Sequence, residues 1–266
     1  AAQAHIQYVE ITFAGQAFRL GRYPVHFHLN GDMSNSFVRG CAIHTSFNRA
    51  VNVHGSHNAL IEYNILYNVM GGAFFLEDGN EVGNIFQYNL AIFVKSSTSL
   101  RNDDITPAAF WATNPNNTIR HNAVAGSTHF GYWYRMHLHP DGPGFDVNIC
   151  PQAAPLLEFR NNSAHSLGWF GLWIFETFVP RKDGSCFSKA PHQVATFYSL
   201  TAWNCQKGAE AVNFGALQFH QFILVSNELS GFEGKVIRQS PPQYDKEAGP
   251  GLFDSVIVDH YNNLLT

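Results

Sequence analysis

Apolar and polar residues alternate along this chain in short runs, with no sustained recurrence at every third or fourth position, so the elements it predicts are strands. The clearest runs are FVRGCAIH (37–44), LIEYNILYN (60–68), NIFQYNLAIF (84–93), TIRHNAVAG (118–126) and LEFRNNSAHS (157–166), with weaker copies at 197–204, 222–227 and 255–261. Each opens on an apolar residue, passes through one or two polar residues to Gly or Asn, and returns to apolar. From Gly40 the equivalent positions are Asn64, Asn89, Asn122 and Asn162, in steps of 24, 25, 33 and 40 residues. The longer steps coincide with Gly, Pro, Asp and Ser accumulating at 95–107 and 137–155, and stacked coils grow in this way, by insertion into surface loops. Three short strands per turn of about 24 residues predict an all-β chain folded as a parallel β-helix. The recurring Asn predicts a side-chain ladder at one corner, because Asn tolerates left-handed backbone and can bond to its counterpart one coil away. A sandwich of hairpins would need tight Asn-Gly or Asp-Gly turns, of which Asp78-Gly79 is one of few candidates.

A second strand in each coil carries the candidate chemistry. Its versions read YPVHFHLNGD (23–32), RAVNVHGSHN (49–58), GGAFFLEDGN (71–80), PAAFWATNPNN (107–117), FGYWYRMH (130–137) and FGLWIFE (170–176). If Val25, Phe27 and Leu29 face the core, strand alternation turns His26 and His28 outward together. The next coil repeats this with Val51 and Val53 inward and Asn52 and His54 outward. Parallel neighbours lie about 4.8 Å apart, so His26, His28 and His54 are predicted to converge on one point. Such a set suits one divalent cation, Zn or Ca, with an oxygen from Asp32, Glu77 or Asp78. Glu77 and Asp78 point to opposite faces, so one of the two is expected to reach the cluster. His44, His57 and His165 are expected to bond to turns instead. The row Tyr132, Trp133, Tyr134 and Arg135 is a candidate ligand-binding platform on which a sugar could stack, against the alternative that these rings fill the core.

Composition bounds the function. The 266 residues hold 16 Lys+Arg against 20 Asp+Glu, a net charge of −4, which argues against a nucleic-acid partner. Only 14% of residues are charged, well below the roughly 25% of an ordinary soluble domain. The longest apolar run, 169–175, falls far short of the roughly 20 residues that cross a bilayer, so no membrane span is expected. The chain reads as a single domain over 1–266. It opens on Ala1 with no charged and apolar leader, and so reads as a piece of a longer protein. Cys41 and Cys205 sit in apolar strand-like runs. Cys150 and Cys186 lie in segments rich in Pro, Gly and Asp, and a Cys150–Cys186 disulfide is the preferred pairing. Sequons at Asn116 and Asn161, as glycosylation sites, agree with a location outside the cell.

The stretches YPVHFHLNGD, AIHTSFNRAVNVHGSHN, GGAFFLEDG, FWATNPNNTIRHNAVAGS, FGYWYR and NNSAHS resemble the parallel β-helix region of the fibrocystin and fibrocystin-L family, related to the cell-migration-inducing and transmembrane hyaluronidases. The resemblance runs from about Gly21 to Cys186. It implies a right-handed parallel β-helix in the ectodomain of a large extracellular or membrane-anchored protein, normally preceded by a G8 domain. His26, His28, Asp32, His44, His54, Glu77 and Asp78 stand at matched positions. One branch of the relatives depolymerises hyaluronan; the fibrocystin branch is regarded as receptor-like or as cell-surface coat material.

Two function classes follow. In the first, the rod is a rigid scaffold and ligand-binding module for an acidic glycan or an extracellular protein. In the second it is a metal-assisted hyaluronan-depolymerising glycosidase, in which a cation on His26, His28 and His54 offsets uronate charge and Glu77 or Asp78 acts as proton donor or base.

Overall fold

The computed structural model describes residues 3–97, 102–187, 189–238 and 248–259. The chain winds into stacked coils with three strand faces, and every pairing between coils is parallel, as the repeat predicts. The first face starts with His5–Gln7, Phe37–Arg39 and Leu60–Glu62, the second with Glu10–Thr12, Ala42–Ser46 and Ile65–Met70. The third face is an eight-stranded sheet that runs from Val25–Asp32 and Val51–His57 through Phe74–Leu76, Ala108–Ala112 and Phe130–Tyr134 to Ser230–Ile237. Residues 260 and 261 of the last sequence copy lie outside the described residues, as do 98–101 of the first long loop.

The first and second faces meet at a two-residue corner in every coil. Among the described residues its leading residue holds left-handed backbone in all nine instances: Tyr8, Gly40, Tyr63, Tyr88, His121, Asn161, Ser199, Gln221 and Asp254. Gly40 is there because a Cβ would lie 2.7 Å from the Tyr8 ring. The second corner residue turns inward, and this is where the Asn ladder sits. Asn64 Oδ1 accepts the Cys41 N–H (2.9 Å), Asn89 Oδ1 that of Asn64 (3.0 Å), Asn122 Oδ1 that of Asn89 (3.0 Å) and Asn162 Oδ1 that of Asn122 (3.0 Å). Each amide NH2 donates back to a carbonyl of the coil before, such as Asn89 Nδ2 to Ile61 O at 3.0 Å. The corner thus satisfies backbone groups that the bend removes from the sheets. The ladder begins at Cys41 and not at Gly40, one residue later than the sequence repeat suggests. A second ladder, absent from the sequence reading, joins Ala59 N–H to Asn84 Oδ1 (3.0 Å) and Asn84 N–H to Asn117 Oδ1 (2.9 Å) at another corner.

Inside the coils, aliphatic and aromatic side chains stack in columns. The inward column of the third face runs Val25, Val51, Phe74, Phe110, Tyr132 and Leu172, all buried, with Phe74 on Phe110 at 4.7 Å and Phe110 on Tyr132 at 5.0 Å between ring centroids. Val53 and Phe27 stack beside them. Leu29 departs from the expected alternation. It has φ +54°, is half exposed, and sits in a register shift between His28 and Gly31 that ends the inward run.

Outside, the first two faces differ. The first carries a polar row in which Arg39 Nε bonds to Glu62 Oε1 (2.6 Å), Gln87 bonds to Glu62 and Arg120, and Arg120 to Glu158 (3.0 Å). Past Glu10 of its first strand, the second presents Ala42 and His44, Ile65 and Tyr67, Leu90 and Ile92, Ala123 and Ala125, Ser163 and His165, Thr201 and Trp203, and Ile223 and Val225, with Lys95 at the far end of one strand. The loop at 137–157 folds over the third face, and Cys150 and Cys186 form a disulfide with Cα atoms 5.6 Å apart, as expected. No helix among the described residues is long and apolar enough to cross a membrane.

Candidate functional site

Alternation and coil stacking bring His26, His28 and His54 together on the outer side of the third face. His28 lies opposite His54 across the two strands, and His26 opposite Asn52. Ring centroids are 4.8 Å apart for His26 and His28, 4.8 Å for His28 and His54, and 6.0 Å for His26 and His54. One ring nitrogen from each lies within 4.8 Å of the others. They line an open cleft of about 400 Å³ together with Leu20, Gly21, Arg22 and Glu77.

Acceptor-only partners orient two of the three rings. His26 Nδ1 donates to Gly21 O (3.1 Å), which leaves Nε2 as the acceptor, and that atom is buried with no hydrogen-bond partner. His54 Nε2 donates to the Asp78 carboxylate (3.0 Å), which leaves Nδ1 as its acceptor. His28 Nδ1 lies 3.1 Å from that Nδ1, so the two rings share one proton between them. A Glu77 oxygen stands 3.6 Å from His54 Nδ1 and is held by Asn52 Nδ2 at 2.7 Å. Burial pulls the His26 pKa below the ordinary histidine value, against the Gly21 carbonyl and the Glu77 charge. Burial works the same way on His54, but the Asp78 hydrogen bond and the charges of Glu77, Asp78 and Glu81 outweigh it and raise its pKa.

Both acids of the third coil touch the cluster, where the sequence reading allowed only one. Glu77 continues the column of His28 and His54 and lines the cleft. Asp78 reaches His54 from the turn and is closed over by Gly144, whose N–H it accepts at 2.7 Å, so it orients the imidazole and does not face the cleft. The turn is pinned by Glu81, which sequence reasoning missed. Its buried carboxylate accepts the N–H groups of Gly55 (2.8 Å), Asp78 (3.0 Å) and Gly79 (2.8 Å), while burial raises its pKa. Arg22 and Gly21 were also missed, since they enter from a loop with no repeat signal. The only hint was an acid three residues past Asp78.

Other expected site residues lie elsewhere. Asp32 follows the register shift and turns to Ser34 (3.0 Å) and Asn58 (2.9 Å), so it supplies no oxygen to the cluster. His44 bonds to Glu10 (2.8 Å), His57 accepts the Val82 N–H (3.2 Å), and His165 contacts Ser166 (3.1 Å). The row 132–135 forms no open platform. Tyr132 and Tyr134 are 0% and 1% exposed because they continue the inward columns, a correction to the platform reading. Trp133 faces out but is enclosed between Trp111 (4.2 Å) and Trp173 (4.6 Å), with Arg135 over the Trp111 and Trp133 rings. Of the two sequon residues, Asn161 is exposed and Asn116 half-buried.

Comparison with known proteins agrees with this architecture. Residues 1–172 match the family described as the CEMIP beta-helix. Fibrocystin-L of Homo sapiens is 60% identical over 261 residues, covering 97% of this chain and 6% of that protein. Cell surface hyaluronidase CEMIP2 of Homo sapiens is 37% identical over 203 residues, 64% of this chain and 15% of the relative. The cell migration-inducing and hyaluronan-binding protein of Mus musculus is 34% identical over 226 residues, 71% and 16% respectively. The chain therefore spans a small part of the curated relatives it matches, as expected for a piece of a larger protein. With parallel coils throughout and a match across residues 1–172, the chain belongs to the CEMIP β-helix family.

Proposed function

We propose that this chain is a rigid extracellular module of a cell-surface protein, and that the cleft at His26, His28 and His54 binds an acidic glycan through one divalent cation. The observation that carries this reading is the pair of oriented lone pairs, His26 Nε2 without a partner and His54 Nδ1 set by Asp78. A carboxylate or carbonyl on the far nitrogen is the usual support of a metal-bound imidazole. The 3.1 Å between the His28 and His54 nitrogens is close to the ~3.4 Å that two ligands at ~2.1 Å would span around tetrahedral zinc. Three imidazoles favour zinc over calcium, which prefers oxygen. A cation would displace the proton that His28 shares with His54, offset Glu77, and present a positive centre beside Arg22. Hyaluronan, named in two of the relatives, is the first glycan to test.

One observation favours a depolymerising reading as well: the Glu77 carboxylate lines the cleft within 3.6 Å of a candidate ligand, in position to exchange a proton with a glycosidic oxygen. Asp78, held by His54 and Gly144, is the weaker candidate. The test is metal analysis of the purified chain with calorimetric zinc titration, followed by hyaluronan binding with and without chelator and a hyaluronan size assay. The expected results are one zinc per chain, loss of tight binding in His28→Ala with the fold unchanged, and glycan retention that chelator abolishes. Zinc affinity equal in parent and His28→Ala, or glycan retention indifferent to chelator, would overturn the reading. Shortening of hyaluronan that Glu77→Gln stops would establish the enzymatic form.

A further inference from the structure

The second face ends at the corner column in which Tyr63, Tyr88, His121 and Asn161 follow one another coil by coil, and its strands beside Asn161 present no Lys, Arg, Asp or Glu. The rings of this column form a stack, Tyr63 on Tyr88 at 5.0 Å and Tyr88 on His121 at 4.8 Å, each pair 4° from parallel. Each inner ring face is covered by its neighbour. The stack ends at His121, and the next position along the rod is Asn161, exposed, with φ +51° and flanked by the inward Asn162, so alternation points its amide outward. Beyond Asn161 the second face continues with Ser163, Thr201, His165 and Trp203, the last 37% exposed and stacked on His165 at 4.3 Å. Hydroxyls, amides and ring faces without charge make a surface that suits neutral sugar.

We propose that Asn161 carries an N-linked glycan whose first sugars stack against the open face of His121 and lie along the second face over Ser163 and Thr201 toward Trp203. The glycan is the occupant of that face. This rests on the extracellular reading above but not on the histidine cleft, which lies on the third face. The other sequon is poorly placed by comparison. Asn116 is half-buried, its carbonyl accepts the Gly83 N–H at 2.8 Å, its neighbour Asn117 belongs to the second ladder, and the sequon hydroxyl residue Thr118 is 6% exposed. Asn161 is accordingly the occupied site and Asn116 the empty one.

The test is secretion of this chain from mammalian cells, with glycopeptide mass spectrometry at both asparagines and timed release of the glycan from native protein by peptide N-glycosidase. The expected outcome is a glycan at Asn161 in most molecules, none at Asn116, and its loss in Ser163→Ala. Release should be several-fold faster in His121→Ala than in the parent, with equal rates after denaturation. An unmodified Asn161 in folded, secreted protein would overturn the assignment, and release rates equal in parent and His121→Ala would overturn the packing. Zinc titration of the same samples keeps either failure separate from the fate of the cleft.

Discussion

Replacing Asn89 with alanine is expected to be the most damaging single change at the ladder corner. The side chain is 2% exposed and makes four hydrogen bonds: Oδ1 accepts from Asn64 N and Asn64 Nδ2, both at 3.0 Å, and Nδ2 donates to Ile61 O (3.0 Å) and Asn122 Oδ1 (3.1 Å). After truncation Asn64 Nδ2 keeps Val38 O, and Asn122 Oδ1 keeps the Asn89 N–H. The Asn64 N–H loses the acceptor it had, inside the coil and away from water. A net hydrogen bond contributes about 1 kcal/mol and an orphaned buried donor costs about 1–3 kcal/mol, so with partial relaxation the loss is about 4 kcal/mol. In a urea titration with an m-value of about 3 kcal/mol/M, that lowers the midpoint by about 1.3 M. The m-value should not change, since the same surface is exposed on unfolding. Asn89→Asp should do no better than alanine, because it keeps both acceptor roles but sets a carboxylate oxygen against Ile61 O and Asn122 Oδ1. A loss under about 1 kcal/mol at constant m would refute the claim that the ladder holds the corner.

Three further outcomes are expected. Tyr134→Phe should leave stability unchanged or raise it by up to about 1 kcal/mol, because the buried hydroxyl has no partner. Tyr132→Phe should lower stability by about 1 kcal/mol, because that hydroxyl donates to Asn122 O (2.9 Å) with Ser163 O at 3.1 Å; thermal melts of the two variants test the contrast. Burial lowers the His57 pKa, against the charge of Asp32, so the unfolded chain takes up the proton first. Stability that His57 leaves intact above its unfolded pKa is lost as pH falls below about 6.5, and His57→Asn should show a smaller loss between pH 7 and 5; an equal loss would reject this. Reduction of Cys150–Cys186, which closes a loop of 36 residues, should cost about 4 kcal/mol on the chain-entropy estimate, read as a fall in melting temperature on adding a thiol reductant; no fall would refute the constraint.

The parallel coils were legible because their inward residues and corner asparagines recur in order while only loops change length. The offset at the first coil arose where Cys41, with no amide to reveal it, occupies the ladder position and Gly40 the left-handed one beside it. The ladder of Asn84 and Asn117 was hidden because it holds only two asparagines, with Ala59 at the position before them. The histidine cluster was legible since two adjacent strands share one parity. The platform was not, because period two forbids Tyr132, Trp133 and Tyr134 from facing the same way, and Phe110 below Tyr132 decides which ring goes in. Gly21, Arg22, Gly144 and Glu81 come from loops whose paths depend on tertiary contacts and leave no periodic mark.

The two-residue corner has a consequence for how the molecule can change over evolutionary time or in an engineer's hands. Nine coils use the same pair of residues, one left-handed and one inward, to pass from the first face to the second. A corner of that length has no slack: one added residue would throw the following strand out of register and turn its core side chains to solvent. Length variation is thereby channelled to the other corners, where the inserted loop at 137–157 already stands. The rod behaves as a fixed rail with free sides, and a reporter peptide grafted between the exposed Val147 and Asn148 of the 137–157 loop, clear of Gly144 and Cys150, should be carried without harm, whereas one placed between Tyr63 and Asn64 should stop the chain from closing its coils.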